Sequence, residues 1–154
     1  MYEADEDRID AAEQLAEHDP RAAAEAFSAI ARDQTVGDEV RLSAAELLAH
    51  LDPSAAAPAC LAIARDRTVG DEVRLSAAEQ LADADPRNAG LACLAIACDQ
   101  GVGDEVRLSA AELAAELDPS AAAPACLAIA RDQTVGDEVR RSAAEQLAAL
   151  NPSA

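Results

Sequence analysis

VGDEVRLSAAE, at residues 36–46, occurs again letter for letter at 69–79 and 102–112, and with Arg141 in place of leucine at 135–145. Each copy begins 33 residues after the previous one. A fixed period of this length is typical of stacked repeats, in which each unit packs against its neighbours. We therefore expect a single domain, residues 1–154. Its repeats are 3–35, 36–68, 69–101 and 102–134, followed by the half repeat 135–154.

The composition combines a high alanine content with a strong negative charge. The chain has 42 alanines, which favour helices, and a net charge of -18. This charge disfavours nucleic acid and anionic membranes as partners, because both bind basic patches. No stretch is apolar and long enough to span a bilayer, and the acidic start MYEADEDRID does not resemble a signal peptide. The charge permits a basic protein partner, although solubility explains it as well.

One repeat, 36–68, predicts two helices. In the first, Asp38 to Leu51, apolar residues lie on two faces and leave one polar line, which indicates a helix wedged between neighbours. Thr35 or Gly37 is expected to cap its start. The core face is expected to hold Val40, Ala44, Leu47, Leu48 and Leu51, and the second apolar face Leu42, Ala45 and Ala49.

Asp52-Pro53 marks the start of the second helix, because aspartate is a good N-cap and proline fits the first helical position. The helix is expected to run to about Ala64. Pro58 would remove one internal hydrogen bond, so either the regular helix starts nearer Ala55 or its first turn is distorted. The residues expected to face the core are Ala56, Ala59, Cys60 and Ile63.

Each repeat is thus a helix hairpin that cannot bury its apolar faces without neighbours. The predicted fold class is an all-α solenoid of 33-residue helix-hairpin repeats, with four and a half repeats and about nine helices. Charged residues replace those of the inner repeats at both ends, which indicates capping units that keep the array soluble. They are Asp7 in the slot of Val40, Asp10 in the slot of Ser43 and Arg141 in the slot of Leu42.

The pattern GDEVRLSAAELLAHLDPSAAAPACLAIARD, residues 37–66, resembles the HEAT-like repeats of the bilin-lyase type. The resemblance covers about residues 3–151. It implies a right-handed α-solenoid whose second helices line the concave side, and protein binding rather than catalysis. The chain departs from the family in having cysteine where the family has a large aliphatic residue, and in its nearly identical copies. The matching residues are Asp38, Val40, Arg41, Ala44, Ala45, Leu48, Asp52, Pro58, Ala59, Arg65 and Asp66.

The second helices carry the candidate binding site. At about 100° per residue, the slots of Pro58, Leu61 and Arg65 point away from the core, and they vary between repeats. They predict an apolar strip flanked by arginines on the concave face, and such exposed patches often mark a partner site. Alternatively, Leu61 and its equivalents pack between neighbouring second helices. The candidate residues are Pro58, Leu61, Arg65, Arg87, Leu91, Leu94, Pro124, Leu127 and Arg131.

Two further patterns recur along the first helices. Asp38 and Arg41 have equivalents in every copy, so we interpret them as residues that cap helices and form hydrogen bonds between repeats. A line of glutamates that includes Glu46 forms an acidic stripe. This stripe can attract a basic partner, but a solvated face explains it more simply.

The cysteines predict packing rather than metal binding. Cys60, Cys93 and Cys126 occupy one slot of successive repeats, about one helix spacing apart, which is too far for a disulfide. Without a CxxC pair we expect no metal site, and we interpret these three as buried hydrophobic residues. Cys98 replaces an arginine that is expected to be exposed, so it is the expected reactive thiol. Unpaired cysteines fit a reducing, cytoplasmic setting.

The sequence offers no constellation for catalysis: no nucleophile paired with histidine, no glycine-rich phosphate loop and no unique pair of carboxylates. We therefore expect no enzymatic activity and no cofactor. The expected function is a non-catalytic scaffold that binds a protein or peptide on the concave face of its second helices. The alternative is an engineered or self-assembling repeat array that stacks end to end.

Overall fold

The computed structural model of the chain describes residues 2–150. Within this range the chain forms nine α-helices, as the period predicts. Met1 and the last four residues of the half repeat, 151–154, lie outside the described residues. The helices are α1 (Tyr2–Ala16), α2 (Pro20–Arg32), α3 (Asp38–Leu51), α4 (Pro53–Arg65), α5 (Asp71–Ala84), α6 (Pro86–Ala97), α7 (Asp104–Leu117), α8 (Pro119–Arg131) and α9 (Asp137–Leu150).

The helices pack in the order in which they occur along the chain. Each one contacts the next helix and the helix after that. The first helices of adjacent repeats (α1, α3, α5, α7 and α9) therefore pack on one another, and so do the second helices (α2, α4, α6 and α8). The prediction of an all-α solenoid of helix hairpins is confirmed.

Each second helix begins as the Asp-Pro pair predicts, with proline in the first turn and the aspartate carboxylate accepting a backbone N–H from the helix. α4 starts at Pro53 and continues through Pro58, so its start is not displaced toward Ala55. Pro58 lies on the exposed side of the helix, where water can bond the carbonyl that lacks its usual N–H partner. The capping aspartates are Asp19, Asp52, Asp85 and Asp118.

Each first helix of repeats two to four begins after a glycine that offers no side-chain cap, so Gly37 and not Thr35 is the N-cap. The Thr35 hydroxyl instead donates to Asp33 at 2.6 Å. The glycine N–H is bonded across the repeat boundary: Gly70 N donates to Asp38 Oδ2 at 2.8 Å. The predicted role of Asp38 between repeats is confirmed. The equivalent pairs are Gly37 with Asp5, Gly103 with Asp71 and Gly136 with Asp104.

A buried arginine joins each repeat to the one before it. The Arg41 side chain donates from Nε to the Ala31 carbonyl at 2.9 Å and from Nη1 to Asp66 Oδ2 at 3.0 Å. Ala31 lies in the last turn of α2, where carbonyls lack helical partners and a positive charge is favoured. We call this arrangement the arginine clasp, and it confirms that Arg41 bonds between repeats. It recurs as Arg74 with Ala64 and Asp99, and as Arg107 with Ala97 and Asp132.

Most of the predicted core is buried, but Leu51 is an error of the sequence prediction. Its side chain is 38% exposed because it is the last residue of α3 and lies at the groove between α2 and α4 rather than inside the hairpin. Leu47 and Ala49 are half-buried. The charged residues at the two ends of the array are exposed, as expected for capping units; they are Asp7, Asp10 and Arg141.

The aspartates of the clasps ionise more readily than usual. The Thr134 hydroxyl and the guanidinium of Arg107 lower the pKa of Asp132 from 3.8 to about 2. The pKa of Asp66 is lowered in the same way by Thr68 and Arg41. Arg67, which bonds Asp99 alongside Arg74, holds the pKa of Asp99 well below the ordinary range.

Replacing the buried arginine is expected to destabilise the fold. Arg41→Met leaves the Ala31 carbonyl and the Asp66 carboxylate without their partner, and losing one member of a buried ion pair costs about 3 kcal/mol. Urea unfolding followed by circular dichroism measures the loss in the free energy of unfolding. The matched control is Arg65→Met, an exposed arginine whose loss should change stability by less than about 0.5 kcal/mol. Equal losses in both variants would contradict the structural role of the clasp.

The lowered pKa of Asp132 predicts a specific dependence on pH. Its contribution to stability is complete above about pH 4, where the carboxylate is ionised in the folded and unfolded chains, and is lost as the pH falls toward about 2. The deficit in melting temperature of Asp132→Asn relative to the original chain should therefore shrink between these values. Asp83→Asn is the control, since Asp83 is exposed and makes no side-chain hydrogen bond within residues 2–150. A deficit for Asp132→Asn that stays constant with pH would refute the assignment.

Candidate functional site

The outward slots of the second helices form one surface, which we call the second-helix face. It comprises positions 21, 25, 28 and 32 of α2 and the positions 33, 66 and 99 residues further on. Leu61, Leu94 and Leu127 are half-buried, and Leu61 and Leu94 pack against the core with part of their surface. The leucine row is therefore neither fully exposed nor fully buried, and both sequence interpretations of it stay predictions. The other candidate residues are exposed: Pro58, Arg65, Arg87, Leu91, Pro124 and Arg131.

An apolar groove of about 300 Å³ lies between α6 and α8. Arg87, Leu91 and Leu94 of α6 line it, together with Leu117 of α7 and the capping Asp118. Gly90 lines it as well, and a methyl group there would make an ordinary contact with Leu117 Cβ at 3.9 Å. Leu91 is 47% exposed, more than any other large hydrophobic residue whose side chain is described. We call this site the Leu91 groove.

The same groove occurs one double repeat earlier, between α2 and α4, with a volume of about 490 Å³. Every lining position of this first groove lies 66 residues before a lining position of the Leu91 groove. Arg21 takes the place of Arg87, but Glu25 and Ser28 stand where the second groove has leucines. The two grooves therefore share their lining positions and differ in volume and in polarity.

The arginines of the second helices differ from those of the first helices. All five are exposed, and none makes a hydrogen bond or salt bridge to the part of the chain that the structure describes. By contrast, Arg41, Arg74 and Arg107 are bound in clasps. The second-helix arginines are Arg21, Arg32, Arg65, Arg87 and Arg131.

A separate cavity, of about 440 Å³, lies between repeats two and three and was not predicted from the sequence. Gln80 stands where the repeats on either side have leucine, and Ala84 where they have Leu51 and Leu117, so a polar side chain and a much smaller one stand at this interface. Gln80 bonds Glu46 across this interface at 2.9 Å. The alternation of glutamine and leucine at this slot was the signal in the sequence.

The cysteines fall into two environments. Cys60, Cys93 and Cys126 are buried, as predicted, and Cys98 is exposed at the end of α6. Burial raises the pKa of the Cys60 thiol to about 11 and that of Cys93 to about 12, with a smaller effect of Glu46 and Glu79 respectively. The buried thiols are thus poor nucleophiles at neutral pH.

The acidic row of the first helices faces solvent, as the sequence suggests. Its exposed members are Glu39, Glu46, Glu72, Glu79, Glu105 and Glu112.

Two general features complete the description of the surface. Within residues 2–150, no three side chains of His, Cys, Asp or Glu are grouped so that they could hold a metal ion. None of the nine described helices combines the length and apolarity that crossing a membrane requires.

Comparison of the chain with protein-family models, with curated proteins and with solved structures found no match.

Alkylation should separate the two cysteine environments. At pH 8, a thiol with a pKa of about 11 is ionised in roughly one molecule in a thousand, so iodoacetamide should modify Cys98 first. Mass spectrometry of proteolytic peptides gives the rate at each cysteine, and Cys98→Ser should remove the fast phase. Modification of Cys60 or Cys93 as fast as Cys98 would show that the packing at these slots is open.

Proposed function

We propose that the chain is a non-catalytic scaffold that binds another protein or a peptide along its second-helix face. We also propose that it is a HEAT-like repeat protein of the bilin-lyase type, a right-handed solenoid whose second helices line its concave side, and that it works in the reducing cytoplasm. The residues that recur in every repeat support a structural rather than a catalytic duty, because Asp38 and Arg41 are engaged in bonds between repeats. The second-helix face varies between repeats, as at Pro58, Leu91 and Pro124, although other slots vary as well.

The observation that carries this proposal is the exposure of Leu91 within a groove. Leu91 is a large apolar side chain that is nearly half exposed, and it lines a groove of about 300 Å³. An apolar group of a partner can be buried favourably there. Pro58 and Pro124, in the equivalent slots of α4 and α8, extend the same exposed row on either side. A ligand that lies on this row would gain mainly from the burial of apolar area.

Selection from a displayed library of random peptides tests the proposal. The chain should select peptides, and these should bind Leu91→Ser about tenfold more weakly, because burying part of a leucine contributes about 1.5 kcal/mol. Leu91→Ser should unfold at nearly the same urea concentration as the original chain, since Leu91 lies outside the core. Leu15→Ser, at another exposed leucine, is the control and should bind the same peptides unchanged. Selected peptides that ignore Leu91→Ser, or failure to select any peptide, would overturn the proposal.

A further inference from the structure

We infer that the segment held by the second-helix face is acidic and apolar, with carboxylates on both sides of an apolar side chain. This inference rests on the proposed function and specifies the chemistry of its partner. The observation behind it is a row of exposed, unbonded arginines along both edges of an apolar floor.

The first step is the separation of charge between the two kinds of helix. The four second helices together carry five arginines and one glutamate, a net charge of +4, in a chain whose net charge is -18. Each of the five first helices carries a net negative charge. Between their caps, the second helices are therefore the helices with a net positive charge, and a partner on their outward face meets exposed guanidinium groups. The aspartates at the ends of these helices carry the opposite charge, and Asp118 itself lines the Leu91 groove.

The second step is that these arginines have no partner in the described part of the chain. Arg87 and Arg131 make no hydrogen bond there, whereas each clasp arginine is bonded to a carboxylate and to a carbonyl. An arginine that is not engaged keeps all its donors for a ligand, and its planar fork suits a carboxylate.

The aspartates near these arginines are hydrogen-bonded to other groups, so they leave the arginine donors free. They keep their charge, and Arg87 adds to the hydrogen bonds from Asn88 in lowering the pKa of Asp85. Asp85, which lies close to Arg87, accepts hydrogen bonds from the backbone and the side chain of Asn88. Asp132, beside Arg131, is held by Thr134 and by the clasp arginine. These carboxylates serve the helix ends, and the exposed guanidinium groups point to carboxylates from elsewhere.

The third step is the arrangement of charge around the apolar floor. Arg87 lies at the start of α6, and Arg65 and Arg131 lie at the ends of the neighbouring helices α4 and α8. The two edges are separated by eleven positions of the repeat, or about 16 Å along a helix. Leu91 and Leu94 lie between them. An extended segment rises about 3.3 Å per residue and its side chains alternate between two faces. Two carboxylates four residues apart therefore lie on one face about 13 Å apart, and the long arginine side chains cover the remaining distance.

The test uses three peptides of one design with blocked ends. The first is Glu-Gly-Leu-Gly-Glu, and the matched peptides carry lysine or glutamine in place of both glutamates. Amide shifts of the nitrogen-labelled chain in solution NMR report both the dissociation constant and the position of weak binding. The acidic peptide should shift the amides of α6 and α8 and bind more tightly than the glutamine peptide, and this advantage should vanish near 1 M salt, where the screening length is about 3 Å.

Paired variants identify the arginines responsible. The double variant Arg87→Gln, Arg131→Gln should weaken the acidic peptide about fivefold, since each exposed ion pair contributes at most about 1 kcal/mol. It should leave the glutamine peptide within about twofold of its original affinity. Arg141→Gln is the matched control, because Arg141 is equally exposed but lies on the last described helix, away from the second-helix face. It should not change the affinity for any of the three peptides.

The outcomes separate this inference from the proposed function. If the lysine or glutamine peptide binds α6 and α8 as tightly as the acidic one, the acidic chemistry is wrong while a peptide-binding second-helix face stands. If no peptide of the three shifts these amides, the inference is overturned, and library selection with Leu91→Ser still decides the proposed function independently. An acidic peptide whose affinity is unchanged in the double variant also overturns the inference.

Discussion

The structure depends on a buried positive charge. Arg41, Arg74 and Arg107 are each no more than 3% exposed, and a guanidinium can be buried at this depth only if acceptors replace the water it loses. Each clasp supplies two acceptors from two repeats: a carbonyl at the end of the preceding second helix and an aspartate at the end of its own. The clasp therefore sets the spacing of the hairpins as well as joining them.

This requirement explains why some positions repeat without change while others vary. The Asp-Glu-Val-Arg start and the Arg-Asp or Cys-Asp end of each inner repeat hold the arginine and the carboxylate of the clasp, so a change at either one would leave its partner in the same repeat unbonded. The outward slots of the second helices contact none of these groups. They can differ between copies at little cost to stability, and so can exposed slots of the first helices, such as that of His50, where Asp83 and Glu116 stand in the next repeats.

Much of the fold follows from the sequence, and the exceptions have physical causes. The period and the Asp-Pro pair predict the helices closely, and the repetition of Asp38 and Arg41 predicts bonds between repeats. The acceptor of Arg41 does not follow, because the Ala31 carbonyl belongs to the backbone and leaves no mark in the residue types. Leu51 has the right spacing for the core but lies at a helix end, and helical spacing does not reveal where the neighbouring helices stop covering it.

The candidate site is only partly predictable for a related reason. The arginine and leucine slots can be placed on one face from their angles, but a groove needs two second helices and the end of a first helix, which meet only in the stacked array. Because the lining recurs after 66 residues, two double repeats each contribute a groove at the same positions, with volumes of about 490 and 300 Å³. Three side chains distinguish the linings: Ala24, Glu25 and Ser28 in the first groove stand where Gly90, Leu91 and Leu94 stand in the second. None of the three slots takes part in a clasp, so the array can change what a groove accepts without changing how the repeats are joined.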